Sequence, residues 1–178
     1  MRCSVFIATS LDGFIAREDG AIDWLERANG SVPAGEDCGY AAFMATVDAL
    51  VMGRHTFETV RAFPEWPYGE TPVWVVSRSL ERLPTGVPAT VRLVAEDPQG
   101  VIRIAEQEGC ARLYVDGGRL IQSFLHEGLI TDLTITTIPV LIGRGRPLFG
   151  VLPGDVPLRL VSSRAFEFGF VQSVYEVG

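Results

Sequence analysis

The chain has 178 residues, a formal net charge of -7 and an apolar content of 47%. This length suits one compact domain, residues 1–178, with a sizeable core. A phosphate backbone favours a positive protein surface, so the acidic balance argues against a nucleic-acid partner. No apolar run is long enough to span a bilayer, and the N-terminus lacks the layout of a signal peptide. We therefore expect a cytoplasmic protein with no membrane partner.

The cysteines and histidines argue against two common kinds of site. The chain has 3 cysteines without a CxxC spacing, which favours free thiols in a reducing compartment over a disulfide framework or a zinc site. The 2 histidines, His55 and His126, exclude a multi-histidine metal centre. No metal site is expected.

The N-terminal part of the chain predicts a buried strand, then loops and a helix. Residues 2–9 are the predicted strand, and the dipeptide Asp12-Gly13 is a strong turn signal behind it. The apolar pair Phe14-Ile15 follows in a predicted loop, which either closes over a ligand or packs on the edge of the core. A helical turn is expected at residues 22–25. A helix is then predicted to begin at Glu36-Asp37 and to run through Val47, because its apolar residues recur at helical spacing.

A strand-to-helix junction in the middle of the chain resembles an anion site. The run Ala49–Met52 is too short for an independent helix and fits a strand buried on both faces. Gly53 ends this strand, and Arg54, His55 and Thr56 lead into a helix that Thr56 is expected to cap. Free backbone N–H groups and the helix dipole attract an anion, and Arg54 adds charge-assisted hydrogen bonds. The alternative is a strand-to-helix turn that binds nothing.

A second junction of the same kind follows later in the chain. The predicted strand Leu113–Asp116 leads through Gly117, Gly118 and Arg119 straight into a helix that reaches His126. Two glycines allow a bulky group such as a pyrophosphate to lie against the backbone. The run does not fit GxGxxG, so the ordinary dinucleotide-binding fingerprint is absent.

The remaining elements set the fold class. Further strands are expected at residues 73–77, 91–94, 130–138 (continuing to 142), 158–161 and 168–177. One more helix is expected at residues 98–108. Strands and helices therefore alternate first, and strands follow alone. This order predicts an α/β fold with a mostly parallel central sheet, an antiparallel C-terminal hairpin and helices on both faces.

Several of these segments resemble a known family. Val51–Glu58 closely resembles the nucleotide-binding segment of dihydrofolate reductases. Ser10–Ala16, Tyr114–Gly118 and Pro139–Gly145 resemble the riboflavin-biosynthesis reductases, the RibD C-terminal domain family, which shares the dihydrofolate reductase fold. The resemblance covers almost the whole chain and implies a dihydrofolate reductase-like three-layer fold. Because the H-x-E and P-C-x-x-C signature of the zinc deaminase domain is absent, a stand-alone reductase domain is expected.

The resemblance implies an NADPH site. The residues that it implies, from the nicotinamide through the phosphates to the adenosine, are Ala8 (with the loop Ser10–Ile15), Gly53, Arg54, His55, Thr56, Gly117, Gly118, Arg119, Leu120, Ser77 and Arg78. In this fold the two adjacent glycines are commonly joined by a cis peptide bond. An extra phosphate favours Arg and Ser donors, whereas a ribose hydroxyl favours an acid, so Arg78 supports NADPH over NADH.

The catalytic side of the prediction rests on two carboxylates. Dihydrofolate reductases use a carboxylate on the first helix to bind the pterin and to assist protonation. Counting back from Gly53 places Asp37 near that position, with Glu36 beside it; the alternative for Asp37 is an acid that starts a helix. Asp12 is the second candidate, and its alternative is a turn-former before Gly13. Hydride transfer itself needs no protein nucleophile, because the cofactor carries the chemistry.

These observations lead to a functional hypothesis. We expect an NADPH-dependent oxidoreductase that reduces a small heterocycle, with 5-amino-6-(5-phosphoribosylamino)uracil of riboflavin biosynthesis as the first candidate. Arg17, Arg144 and Arg146 are candidates for a substrate phosphate, or are solvated loop charges. The alternatives are reduction of a pterin such as dihydrofolate, and a nucleotide-binding protein that kept the fold without catalysis. A homodimer is expected, with residues 63–68 or 130–138 as its contact surface.

Overall fold

The computed structural model describes all 178 residues of the chain. The helices are α1 (Asp23–Asn29), α2 (Tyr40–Met44), α3 (Arg54–Arg61), α4 (Pro98–Gln107) and α5 (Gly118–His126). The strands are β1 (Arg2–Ser10), β2 (Phe14–Ala16), β3 (Ala49–Gly53), β4 (Val73–Val76), β5 (Val91–Val94), β6 (Arg112–Asp116), β7 (Asp132–Ile138), β8 (Arg146–Pro147), β9 (Leu158–Ala165) and β10 (Val171–Val177).

One sheet of eight strands forms the centre of the molecule, in the order β5-β4-β3-β6-β1-β7-β10-β9. The six strands from β5 to β7 are parallel to their neighbours, and β10 pairs antiparallel with both β7 and β9. Parallel strands need crossover connections, which the alternating helices supply, whereas an antiparallel pair can be joined by a tight turn. The predicted parallel sheet with a C-terminal hairpin is therefore confirmed.

The short strand β3 shows why its sequence is apolar at every position. Ala49 and Val51 belong to the core cluster beneath α4 and α5, and Leu50 and Met52 belong to the cluster beneath α3. Successive side chains of a strand point to opposite faces of the sheet, so a strand covered on both sides is apolar without alternation. Helices cover both faces of the sheet, as predicted, and a third cluster packs around Trp24 of α1.

The helix predicted from Glu36-Asp37 to Val47 is much shorter in the structure, and this prediction is wrong at both ends. The Asp37 carboxylate accepts hydrogen bonds from the N–H groups of Gly39 and Ala41, both at 2.8 Å. Cys38 and Gly39 have φ values of 54° and 83°, which interrupt a right-handed helix before Tyr40. The side-chain hydrogen bonds of an aspartate therefore replace the first predicted turn of the helix.

Three local predictions at the ends of elements are also wrong. Thr56 lies within the first turn of α3, and Gly53, in an extended conformation, is the N-cap. The peptide bond between Gly117 and Gly118 is trans, as are all others in the chain. Strand β7 ends at Ile138 and does not continue beyond Pro139, which has no N–H group for the ladder.

None of the helices combines the length and the apolar character that crossing a bilayer requires.

Candidate active site

A cleft of about 800 Å³ opens at the carboxyl ends of β1, β6 and β3, which are adjacent strands of the sheet. Gly53 ends β3 and Asp116 ends β6, and both residues line the cleft together with Ala8 of β1. The crevice beyond the carboxyl ends of the strands is the usual ligand site of an open α/β sheet. The cleft is therefore the candidate active site.

Nine of the eleven predicted cofactor residues line this cleft; they are Ala8, Gly53, Arg54, His55, Thr56, Gly117, Gly118, Arg119 and Leu120. The two remaining residues, Ser77 and Arg78, come directly after Val76, which does line the cleft. The Ser77 hydroxyl accepts hydrogen bonds from the N–H groups of Ser79 and Leu80 at 3.3 and 3.1 Å. Arg78 is exposed beside the cleft. Ser77 thus forms a turn, whereas the Arg78 side chain is free to meet a ligand.

Two helices begin at the cleft. Helix α3 starts directly after β3, and α5 starts directly after β6, with no side chain capping either N-terminus. The first-turn N–H groups of a helix have no partner within it, and they carry the positive end of the helix dipole. Both N-termini lie in one cleft, so they can bind two linked anionic groups, such as the phosphates of a pyrophosphate.

The cationic side chains at this edge differ in how far they are neutralised. Arg54 donates from Nε to the carboxylate of Glu58 at 2.7 Å, and His55 Nδ1 lies 3.5 Å from the same carboxylate. The hydrogen bond from Arg54 is the main cause that lowers the pKa of Glu58 below its ordinary value. Arg119, at the start of α5, is exposed and forms no ion pair, so its charge is fully available to a ligand.

The two glycines of the second junction serve a purpose that the sequence analysis did not predict. Gly117 has a φ of 93°, which L side chains rarely adopt, and a Cβ atom there would collide with the Thr56 hydroxyl. A Cβ atom on Gly118 would lie 2.9 Å from Cδ1 of Ile15 and 3.2 Å from the carbonyl oxygen of Pro147. Glycine at these two positions therefore leaves room for Thr56, Ile15 and Pro147 to pack tightly against the start of α5.

Strands β2 and β8 pair antiparallel and form what we call the strap, residues 14–16 and 146–147, at the cleft. A Cβ atom on Gly145 would collide with the carbonyl oxygen of Ala16, and one on Gly20 would lie 3.2 Å from the Arg146 guanidinium. The apolar pair Phe14-Ile15 lies in strand β2 and not in a loop, so that part of the prediction is wrong. Ile15 packs against the main core, which confirms the core-edge alternative for this residue, and it also lines the cleft.

Asp12 ties the end of β1 to the loop that leads into the strap. Its carboxylate accepts hydrogen bonds from the Ser10 hydroxyl at 2.6 Å and from the Gly143 N–H group at 2.7 Å. The Ile142 N–H group adds a third contact at 3.2 Å. These bonds, with the Ser10 hydroxyl first, lower the pKa of Asp12. Asp12 does not line the cleft, which favours the turn-forming alternative over a catalytic role.

Asp37 also lies outside the lining of the cleft. It is exposed, and hydrogen bonds from the Ala41 and Gly39 N–H groups lower the pKa of its carboxyl. Its position before α2 matches the alternative of an acid that starts a helix.

Among the arginines considered for a substrate phosphate, only Arg146 lines the cleft. Its Nε donates to the carbonyl oxygen of Glu18 at 3.2 Å. Arg17 is held by Asp23 through hydrogen bonds of 2.5 and 2.9 Å, and Arg144 is exposed in the loop before β8.

The sequence analysis did not assign a role to the two carboxylates that line the cleft, Asp116 and the exposed Glu18. Asp116 ends β6, and its Oδ1 accepts a hydrogen bond from the Gly117 N–H group at 2.8 Å. Burial raises the pKa of Asp116 to about 6, and the hydrogen bond from Gly117 only partly opposes this. The signal in the sequence was its position, directly before the double glycine at the end of a buried strand. Other lining residues to which the sequence analysis gave no role in the site include Ile7, Val60, Phe63, Tyr68 and Val76.

Known proteins share this architecture. The protein YwjB of Bacillus subtilis (strain 168), itself uncharacterized, is 36% identical over 169 residues, which cover 91% of this chain and 90% of YwjB. A crystal structure from Shewanella sp. PV-4, provisionally assigned to riboflavin biosynthesis, is 40% identical with a TM-score of 0.93, covering 100% of this chain and 99% of that one. RibD of Acinetobacter baumannii shares the fold at 18% identity and a TM-score of 0.71, with 99% of this chain matching 58% of that chain.

The model of the RibD C-terminal domain matches residues 3–171, which include both junctions and the chain from β1 through β9. The chain belongs to the RibD C-terminal domain family, whose reductase-like fold it has in full.

Proposed function

We propose that the protein is an NADPH-dependent reductase of a small heterocyclic substrate, of the type found in riboflavin biosynthesis. The observation that carries this proposal is the pair of uncapped helix N-termini, α3 and α5, which open together on the cleft beside the free charge of Arg119. This donor set fits the pyrophosphate of a dinucleotide. Membership of a reductase family supports oxidoreductase chemistry at the same site.

The residues around the cleft divide into three roles under this proposal. His55, Arg119 and the first-turn N–H groups of α3 and α5 would bind the phosphates. Ala8 and Ile15 would border the nicotinamide, and Arg78 would meet a 2′-phosphate at the neighbouring strand end. NADPH, when bound, supplies the hydride.

Asp116 is the group that could supply the proton. Reduction of a C=N or C=O bond puts a hydride on carbon and a proton on the heteroatom. The pKa of Asp116, raised to about 6, keeps a fraction of this carboxyl protonated near neutral pH. A general acid works best when its pKa lies near the operating pH.

Two substrates are the leading candidates. A structural neighbour from Thermotoga maritima, at 14% identity, carries the name 5-amino-6-(5-phosphoribosylamino)uracil reductase, and this pyrimidine is the first candidate. The apolar and aromatic part of the lining, which includes Val60, Phe63 and Tyr68, favours a flat ring and supports a dihydropterin as the second.

The test is a titration of the protein with NADPH and with NADH, following tryptophan emission and melting temperature. We expect tighter binding of NADPH, weakened by Arg119→Ala at the phosphates and by Arg78→Ala at the 2′-phosphate. Arg103→Ala, an exposed charge on α4, is the matched control. Absence of binding by either nucleotide would overturn the proposal. Tight binding without oxidation of NADPH by either candidate would favour a nucleotide-binding protein without catalysis.

We also propose a homodimer, with strand β9 as the first candidate for its contact surface. Strand β7 lies between β1 and β10, so the segment 130–138 is not a free edge. In the segment 63–68 Tyr68 is buried but Phe63 is exposed, so this segment stays the alternative surface. Strand β9 is an edge strand in which all eight residues are exposed, among them Leu158, Leu160 and Val161. An exposed apolar edge strand readily pairs with another chain. Sedimentation velocity should show a dimer that Leu160→Lys dissociates; a wild-type monomer would refute the proposal.

A further inference from the structure

Tyr68 holds a fixed position in the wall of the cleft. It lies in the loop between α3 and β4, its side chain is 9% exposed, and it lines the cleft. Its ring packs edge-on against Trp66, with ring centroids 5.3 Å apart at 86°. It also belongs to the core cluster that contains Val60 and Phe57 of α3. A phenol ring held on several sides is a rigid support for its hydroxyl group.

Three tyrosines lie within the electrostatic influence of Asp116, and only one of them offers a free hydroxyl to the cleft. The Tyr114 hydroxyl donates to the carbonyl oxygen of Phe6 at 2.8 Å. Tyr40 does not line the cleft. Tyr68 lines the cleft, its hydroxyl has no hydrogen-bond partner in the chain and is not fully enclosed, and burial together with the Asp116 charge raises the pKa of this phenol. Tyr68 therefore keeps its proton and can donate it in a hydrogen bond.

The Asp116 carboxylate likewise has unused capacity, because the Gly117 N–H group is its one hydrogen-bond donor and binds Oδ1. The lining of the cleft also includes the apolar Ile7, Val60 and Phe63, and Val60 packs in the same core cluster as Tyr68. The cations of α3 lie at its start, and Val60 is roughly 9 Å further along the helix axis than Arg54. This part of the cleft therefore combines two polar groups with apolar walls.

We infer that Tyr68 is a specificity-determining residue, which with Asp116 binds a flat heterocycle whose reducible C=N bond lies beside a ring carbonyl oxygen. The protonated Asp116 carboxyl would donate a hydrogen bond to the nitrogen of the C=N bond. Its proton would pass to this nitrogen when the carbon of the same bond accepts the hydride. The Tyr68 hydroxyl donates to the neighbouring oxygen. This inference rests on the proposed function and favours the second of its two substrate candidates, the dihydropterin, whose reducible C=N bond lies in the ring. A ring that lacks the oxygen covers the Tyr68 hydroxyl without offering it an acceptor, which is unfavourable.

The inference is tested by binding of two ligands that differ in one oxygen. The probes are 6-methylpterin and 2-amino-6-methylpteridine, which lacks the ring oxygen at position 4, titrated by calorimetry against wild-type protein, Tyr68→Phe and Tyr40→Phe. We expect the wild type to bind 6-methylpterin about tenfold more tightly than the analogue, the effect of one hydrogen bond in a buried site. Tyr68→Phe should abolish this preference, and the matched control Tyr40→Phe should keep it.

The readouts separate this inference from the proposed function. Melting temperature checks that Tyr68→Phe is folded, and NADPH affinity, measured on the same samples, should be equal in all three proteins. A preference for 6-methylpterin that survives Tyr68→Phe overturns the inference, and so does failure of both pteridines to bind. Loss of NADPH binding in the wild type would instead refute the reductase assignment, whatever the pteridines do.

Discussion

Two carboxylates lie at opposite ends of the parallel strands, and their surroundings differ. Asp132, at the amino end of β7, is 5% exposed and accepts hydrogen bonds from four neighbouring side chains, those of Arg2, Ser4, Arg112 and Thr131. Asp116, at the carboxyl end of β6, accepts one hydrogen bond, from a backbone N–H group. A buried carboxylate with all its partners holds a structure together, whereas one with few partners keeps a raised pKa and is available for chemistry.

The largest effect on stability is expected from removing the carboxylate with many partners. Asp132→Ala leaves the half-buried guanidinium of Arg112 without its ion pair, and should lower the free energy of unfolding by about 3 kcal/mol. Urea denaturation measures this loss. The affinity of the folded protein for NADPH should not change, because Asp132 does not line the cleft. A loss under 1 kcal/mol would mean that the cluster contributes little.

Removing the Asp116 carboxylate, which has few partners, should slow turnover and leave stability intact. Asp116→Asn cannot donate a proton, so turnover should fall about 100-fold, within the usual range for loss of a general acid. The melting temperature should stay equal or rise, because the neutral amide removes a buried charge. The contrast with Asp132→Ala would disappear if Asp116→Asn destabilised the protein without slowing turnover.

The raised pKa of Asp116 makes stability depend on pH. Its pKa moves from 3.8 to about 6 on folding, so the folded state holds the proton more tightly than the unfolded state. This contribution is fully present below pH 3.8 and is lost as the pH rises through 6. The loss should amount to about 2 kcal/mol, somewhat less than the full shift implies because the cleft is open to water. Urea denaturation of the wild type and of Asp116→Asn should be compared from below pH 3.8 to above pH 6. Over this range the wild type should lose about 2 kcal/mol of unfolding free energy relative to the variant.

The smallest effect is expected at Asp12, a carboxylate that is well supplied with partners but lies next to the strap. Asp12→Ala removes the acceptor that fixes the Ile142 and Gly143 N–H groups, so the strap should be held less precisely. We expect KM for NADPH to rise a few-fold while kcat changes little. Asp19→Ala, which removes a single local hydrogen bond to Ala21, is the control. An unchanged KM would show that the strap keeps its position without Asp12.

The sequence determined those features that depend on neighbouring residues. The unbroken apolar run of β3 predicted a strand covered on both faces, and the glycine at each strand end predicted the two helix starts. These signals are local, because the spacing of apolar residues and the backbone freedom of glycine depend on only a few neighbouring positions. They were sufficient for the sheet, the family and most of the predicted cofactor edge.

Tertiary structure alone decided which polar groups are paired and which are not. The acceptor role of Asp12 depends on Gly143, 131 residues away, and no periodicity in the chain reports such a contact. Asp116 and Tyr68 come from separate elements and meet at one cleft only because β6 lies beside β3 in the sheet. The raised pKa of Asp116 comes from burial and from the scarcity of donors around it, and both depend on the packed surroundings rather than on the neighbouring sequence.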